Sequence, residues 1–517
     1  MIIKIALIAV FFAVMIGVGI YCRKNATDVN GFVLGGRSVG PWLTAFAFGT
    51  SYFSAVIFVG YAGQFGWNFG VAATWAGLGN AIIGSLMAWV ILGRRTRIMT
   101  QHIGSRTMPD FFGKRFESPK LTTWAALITC VFLIPYTASL FNGLSRLFEM
   151  AFHIDYAYCV LAMAVLTGIY VIIGGYMATA INDFIQGLVM LVGIVAVIAA
   201  VLNLNGGFMA SLVELAKVES DVMPGAYASF FGPQPVYLFF VVMLTSLGTW
   251  GLPQMVGKFY AIKDENSIQK GTIISTVFAL VVAGGCYFLG GFGRLFATNE
   301  QVAANGFDSI IPSMLSKLPD ILIAIVLILV LSASMSTLSS LVLTSSSTLT
   351  LNLIEPLRKN EMQEKSKMTT MRVFVAVFIA ISAVIAIVQA KSKVTFIAQL
   401  MGVSWGALAG AFLAPFIYGL FWKKTTKQSV AASFIFGCGM MVVQLLKSLG
   451  LITIQGGVLG FVFQNSIYSG VIAMAAGLVI VPVVSLVTRK GIPAGVDDAF
   501  ACYEKKVNVS QKTSLTD

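Results

Sequence analysis

Asp183 is the residue in this 517-residue chain whose position most needs a chemical explanation. Nearly all of the 21 acidic side chains fall in polar gaps or at the ends of apolar runs, whereas Asp183 lies about seven residues inside one. At 1.5 Å per helical residue that is roughly 10 Å from the boundary of the run. No Lys or Arg occurs between Arg146 and Lys217. A carboxylate at that depth is costly unless it is paired. A bound cation is one partner; protonation or hydrogen bonding within the fold is the other reading.

Oxygen ligands for a cation are concentrated in a second apolar run, Leu331-Ser332-Ala333-Ser334-Met335-Ser336-Thr337-Leu338-Ser339-Ser340, followed by Thr344 to Thr348. Positions 333, 336, 337 and 340 share one helical face. Hydroxyls and main-chain carbonyls suit a hard monovalent cation, although Ser and Thr also bond back to their own helix. Backbone oxygens are offered at two further places. Gly49-Thr50-Ser51-Tyr52-Phe53-Ser54 interrupts one run, and Thr245-Ser246-Leu247-Gly248-Thr249-Trp250-Gly251-Leu252-Pro253-Gln254 interrupts another. Irregular backbone inside a membrane is tolerated where it lines a cavity or packs against protein. Paired interrupted helices point to a transport site, and ordinary glycine-mediated packing is the competing reading.

The elements that would carry these residues are membrane spans. Apolar types make up 57% of the chain and charged types 11%, under half the roughly 25% of soluble domains, and mean hydropathy is +0.87. Thirteen runs approach the 20 or so residues needed to cross a bilayer: 2–22, 41–66, 71–93, 121–148, 156–175, 177–203, 236–260, 271–296, 320–350, 371–390, 395–421, 429–448 and 466–487. The interrupted runs lie five apart, which suits two five-helix units, 41–204 and 236–421, related by inversion. Residues 1–40 form a first helix and loop, 205–235 an outer loop, 422–488 two further helices, and 489–517 a polar, mobile tail. With the N-terminus outside, 26 of the 34 Lys and Arg fall on the cytoplasmic side. The positive-inside rule therefore sets the orientation and leaves the C-terminus in the cytoplasm. The first run ends in Tyr21-Cys22-Arg23-Lys24, which reads as a retained span and not as a cleaved signal.

Inventory excludes several functions. The net charge of +13 lies in gaps between spans and predicts no nucleic-acid partner. The six Cys are scattered without a C-x-x-C pair, and read as small buried hydrophobes. His102 and His153, both expected in loops, are the only histidines, so a zinc site or a histidine triad is not expected. No acid–base cluster suits a membrane enzyme, and no repeated filter or charged ring suits a channel. A transporter-like membrane sensor is a further alternative, for which the polar tail is short.

Together the motifs resemble the sodium:solute symporter family over roughly residues 30–425. The resemblance rests on Gly35-Gly36-Arg37-Ser38, on Tyr170 through Gly174-Gly175-Tyr176 into Asn182-Asp183-Phe184-Ile185-Gln186, on Pro253-Gln254 through Lys258-Phe259 to Lys270-Gly271, and on Met335-Ser336-Thr337-Leu338. The wording of 182–191 and 251–254 is closest to the pantothenate and proline branches. The resemblance implies an all-α polytopic protein of 13 transmembrane helices. Its core would be a LeuT-type 5+5 inverted repeat, with one extra N-terminal and two extra C-terminal helices, in a bacterial-type plasma membrane. It implies sodium-coupled import of a small organic solute by alternating access, the solute being carboxylate or amino-acid-like, with a sialic acid or other monocarboxylate as the alternative. Sodium would be held by the carbonyls of Thr50, Phe53 and Ala333 and the hydroxyls of Ser336 and Thr337. Asp183 would belong to, or lie next to, a second cation site. Ala333 stands where relatives with two bound sodium ions carry Ser, which leaves the stoichiometry at one or two. Tyr52, Ser54, Tyr136, Asn142, Trp250 and Gln254 are the candidate substrate contacts. Val56 and Ile57, where sugar-binding relatives carry acid and amide groups, argue against a sugar. Solute, sodium and lipid bilayer are the implied partners, with the oligomeric state open.

Overall fold

A computed structural model describes residues 2–152, 154–358, 362–392 and 397–504. His153 and the tail lysines Lys505, Lys506 and Lys512 lie outside them. Among the described residues the chain is helical, and its only strand-like pairing is one parallel bridge between Val39 and Ile262.

The helices that position the site are best named in chain order. Helix α1 is Ile2–Cys22 and α2 is Pro41–Tyr52. A π-helical stretch, Val56–Tyr61, leads into α3, Ala62–Phe69. Helix α4, Thr74–Gly79, continues through two further π-helical stretches into α5, Arg94–His102. Then follow α6, Met108–Arg115; α7, Pro119–Phe152; and α8, Tyr156–Asn203. Helix α9 is the short Phe208–Ala216. The second half comprises α10, Pro235–Leu247; α11, Pro253–Tyr260; α12, Glu265–Gly290; α13, Asp320–Thr348; α14, Glu364–Ser392; and α15, Ile397–Phe421. Helices α16, Lys427–Ser448, and α17, Ser466–Val487, follow, and a short α18, Val496–Ala501, closes the described chain.

Among the described residues, ten helices are long and apolar enough to cross a membrane, or eleven if α10 and α11, bent by 48°, form one span. Two pairs of the thirteen apolar runs are joined without a loop. Val56–His102 is a continuous helical stretch of 47 residues, and α8 is 48 residues long. The chain nevertheless leaves helical geometry inside both, at Gly70 (φ 63°, ψ −143°) and Gly175 (φ 57°, ψ −148°). Glycine is required at 175 twice over: φ is left-handed, and a Cβ there would stand 2.7 Å from the Phe32 ring.

Two breaks in otherwise regular spans match the sequence expectation. Helix α2 ends at Tyr52, where Phe53 is extended at φ −91°, ψ 127°. Helix α10 tightens into a 3₁₀ turn over Gly248–Gly251, Leu252 is extended, and Pro253 opens α11 at its first turn. Proline there gives up an amide that the helix would leave unpaired anyway. Gly251 lets this break press on α15, since a Cβ would meet Ala409 Cα at 2.8 Å.

The loops that precede α2 and follow α11 are tied together. Beside the Val39–Ile262 bridge, the Arg37 guanidinium donates to Tyr260 O (3.1 Å), Ser105 O (2.6 Å), Thr100 Oγ1 (3.3 Å) and Thr100 O (3.4 Å). Burial, with Arg97 nearby, lowers its pKa to about 10, so it stays charged at neutral pH. Hydrogen bonds from a charged group contribute about 1.5–3 kcal/mol each when lost. Arg37→Ala is expected to lower the thermal unfolding midpoint by several degrees. Arg37→Lys should recover only part of that, because an ammonium lacks the planar fork; full recovery would contradict this reading.

The part of the tail that is described is docked, which corrects the expectation of a mobile segment from 489 onward. Glu117 accepts from the amides of Ala494 and Gly495, Lys423 pairs with Asp497 at 2.8 Å, and Phe500 is buried. His102 closes α5 against Asp498 O at 2.9 Å instead of lying in a loop. Four of the six cysteines are buried.

Candidate functional site

Where α2 stops, its last carbonyls have no following helical turn to accept from. Helix α13 faces them with the surface predicted from the spacing. Thr337 Oγ1 lies 3.3 Å from Thr50 O, 3.5 Å from Ser51 O, 3.2 Å from Phe53 O and 3.1 Å from Ala333 O. Ser336 Oγ lies 3.1 Å from both Thr50 O and Ala333 O. All these residues are buried. Each hydroxyl carries one proton, so two protons face four carbonyl oxygens. The excess of oxygen without formal charge is the donor set of a hard monovalent cation, and the residues present fit sodium. The rest of the serine-rich helix divides as the alternative reading allowed. Ser339, Ser346 and Ser347 bond back to their own helix, at 2.9, 3.1 and 2.5 Å.

Asp183 is fully buried on α8, and the structure gives it a partner that its own helix lacks. Lys258, from α11, places Nζ 3.4 Å from Asp183 Oδ2 and 2.9 Å from Ser340 Oγ. Ser340 Oγ in turn lies 2.7 Å from Ser51 Oγ. Lys258 is 3% exposed and lies within the last turn of a half-helix. The expectation of a bound cation beside Asp183 rested on the absence of such a side chain. Asn182 and Gln186 turn the other way and donate to Met15 of α1, at its O and Sδ.

The candidate substrate contacts divide. Tyr52, Ser54 and Tyr136 are buried around a residue the sequence reading missed, Trp405 of α15. Tyr52 stacks on its ring at 6.2 Å and Tyr136 meets it edge-on at 5.9 Å. Tyr52 OH donates to Thr245 O, which fixes that ring against the second break. Ser54 Oγ, Tyr136 OH and Trp405 Nε1 are buried close to one another, none in a hydrogen bond of normal length and angle. Trp250 donates Nε1 to Ile83 O at 3.0 Å, so its polar atom is spent on packing. Gln254 is buried at the start of α11, its Oε1 unpartnered, and borders a cleft that also touches Lys258, Ser340, Tyr176, Arg106 and Thr107. Asn142 is not brought to this group: it bonds Tyr156 OH, beside α14. Trp405 had one usable signal, an indole in mid-span between Gly402, Gly406 and Gly410.

A broken helix whose last carbonyls face a hydroxyl-bearing span, beside a buried cluster of hydroxyl and indole groups, is an arrangement suited to a membrane-embedded, ion-coupled transporter. Comparison with known proteins agrees. The family model for the sodium:solute symporter family matches residues 32–437. A sodium/proline symporter of Staphylococcus aureus (strain JH9) is 30% identical over 449 residues, covering 84% of this chain and 85% of the relative. Among solved structures, a Na⁺-coupled sialic acid symporter in a substrate-bound outward-open state is similar over 94% of this chain and 98% of its own, with TM-score 0.72 at 16% identity. A manganese transporter of Eremococcus coleocola shares the fold more loosely, with TM-score 0.52 at 10% identity over 90% of this chain and 97% of its own. The chain belongs to the sodium:solute symporter family. It is a sodium-coupled solute symporter, and sodium is its coupling ion.

Proposed function

We propose that this symporter imports a small amino-acid-like or carboxylate solute, with one sodium held by the carbonyls of Thr50, Phe53 and Ala333 and the hydroxyls of Ser336 and Thr337. The convergence of those five groups across the α2 break is the observation that carries the reading. Sodium entering there ties α2 to α13 and fixes the break on which Tyr52 and Ser54 stand. The solute lies against Tyr52, Ser54, Tyr136 and Trp405. No charged side chain is among these four, so a carboxylate is met by hydroxyl and indole donors. Ion and solute each favour the conformation that the other prefers, and linkage makes the coupling reciprocal. Inward sodium movement then drives uptake, with about 2.3 kcal/mol per charge from a 100 mV potential.

In this reading, continuous helices of 47 and 48 residues exceed the roughly 30 Å hydrocarbon core more than twofold at 1.5 Å per residue. Dividing them at Gly70 and Gly175 turns eleven spans into thirteen. The thirteen then sort into one leading helix, two inverted repeats of five (41–204 and 236–421) and two trailing helices. The basic surplus places the N-terminus outside and the docked tail in the cytoplasm. Relatives named for proline make proline the first solute to try, ahead of pantothenate, other monocarboxylates and sialic acid.

The test is uptake into proteoliposomes under an inward sodium gradient, with a choline gradient as control. Sodium-dependent accumulation of a small carboxylate or amino acid is expected. Accumulation that ignores sodium, or of sugars alone, would refute the proposal. Trp405→Ala is expected to raise the solute concentration for half-maximal uptake at least tenfold while leaving sodium binding measured without solute unchanged. Equal damage to both would mean that Trp405 only supports the fold.

A further inference from the structure

We propose that Lys258 is a built-in cation that occupies the second cation position, at Asp183, and so fixes this symporter at one sodium per transported solute. The inference rests on the sodium cradle proposed above and adds an assignment for the neighbouring charge.

The Asp183 carboxylate has the surroundings of a cation site. Its Oδ1 is buried without a hydrogen-bond partner among the described residues, and its Oδ2 faces the Lys258 ammonium at 3.4 Å. The same ammonium takes up Ser340 Oγ at 2.9 Å, and Ser51 Oγ lies 2.7 Å beyond. A carboxylate with two nearby hydroxyls is a donor set that a hard monovalent ion accepts. An ammonium supplies the same single charge from a tether. The position is also close to the cradle. Ser340 lies one turn along α13 from Ser336 and Thr337, and the Ser51 carbonyl is 3.5 Å from Thr337 Oγ1.

Lys258 and Ser340 also border a cleft lined by Tyr176, Gln254, Arg106 and Thr107. With Lys258 in place the buried charge is already balanced. Without it, the carboxylate has to recruit a mobile cation or a proton.

The test is the number of ²²Na⁺ ions bound per chain by purified full-length protein in nanodiscs at pH 8.5, where a proton competes least. The wild type is expected to bind one, Lys258→Met two, and Lys258→Arg one. Lys258→Met combined with Asp183→Asn should return the count to one. Two ions on the wild type, or one on folded Lys258→Met, would overturn the proposal. Should Lys258→Met not fold, Asp183→Asn decides: it should still bind one ion, and loss of that ion would also overturn the proposal. Failure of the cradle reading looks different. Wild type would then bind none, or Ser336→Ala with Thr337→Ala would keep its ion.

Discussion

Replacing Ser336 and Thr337 together by alanine is expected to raise the sodium concentration for half-maximal uptake about 100-fold or more. In the proposed cradle the pair supplies both side-chain ligands, while the carbonyls of Thr50, Phe53 and Ala333 remain. A contact to a charged partner contributes about 1.5–3 kcal/mol, and each 1.4 kcal/mol is tenfold in affinity. Two such losses therefore span roughly two to four decades. Alanine is well tolerated in helices, so the protein should reach the membrane in normal amount. Ser339→Ala is the matched control, because its hydroxyl bonds back to Ser336 O at 2.9 Å within α13. Sodium titration of uptake reads both. An unchanged sodium requirement in the double variant would remove the cradle from the account.

Asp183→Asn is expected to destabilise the protein by about 3–5 kcal/mol, the usual cost of breaking a buried ion pair from one side. The Lys258 ammonium, 3% exposed, would be left against a neutral amide. Removing both charges, with Asp183→Asn and Lys258→Met together, should recover most of that loss, since buried pairs replaced by neutral groups are often near-neutral overall. Thermal unfolding of the four proteins in detergent gives the cycle. In Lys258→Met alone, added sodium should raise the midpoint more than in the wild type, because the ion fills the vacated charge. Additive losses in the double variant would show that Asp183 and Lys258 act independently.

The meeting of the α2 break with the hydroxyl face of α13 was legible in the sequence because it depends on local features. Glycine and hydroxyl residues at 49–54 announce the break, and helical periodicity alone places 333, 336, 337 and 340 on one face. The partner of Asp183 was not legible, because Lys258 lies 75 residues further on and its type and position near a span end match those of orienting loop lysines. Apolar runs divide the chain near 66–71 and 175–177, where the helix runs on without a loop, because continuity through Gly70 and Gly175 depends on local backbone angles. Asn142 shows the limit for pocket residues: a mid-span amide is conspicuous in sequence, yet its direction is set by Tyr156 on the next helix. The docked tail was equally hidden, since Glu117 and Lys423 anchor it from loops distant in sequence.

The most direct measurement is a pair of high-resolution cryo-electron microscopy maps of the purified protein, one in sodium and one in choline. The account predicts one sodium-dependent density, enclosed by the carbonyls of Thr50, Phe53 and Ala333 and the hydroxyls of Ser336 and Thr337. A sodium-dependent density at Asp183 instead, or an α2 that runs helical through residues 50–54 in sodium, would contradict it.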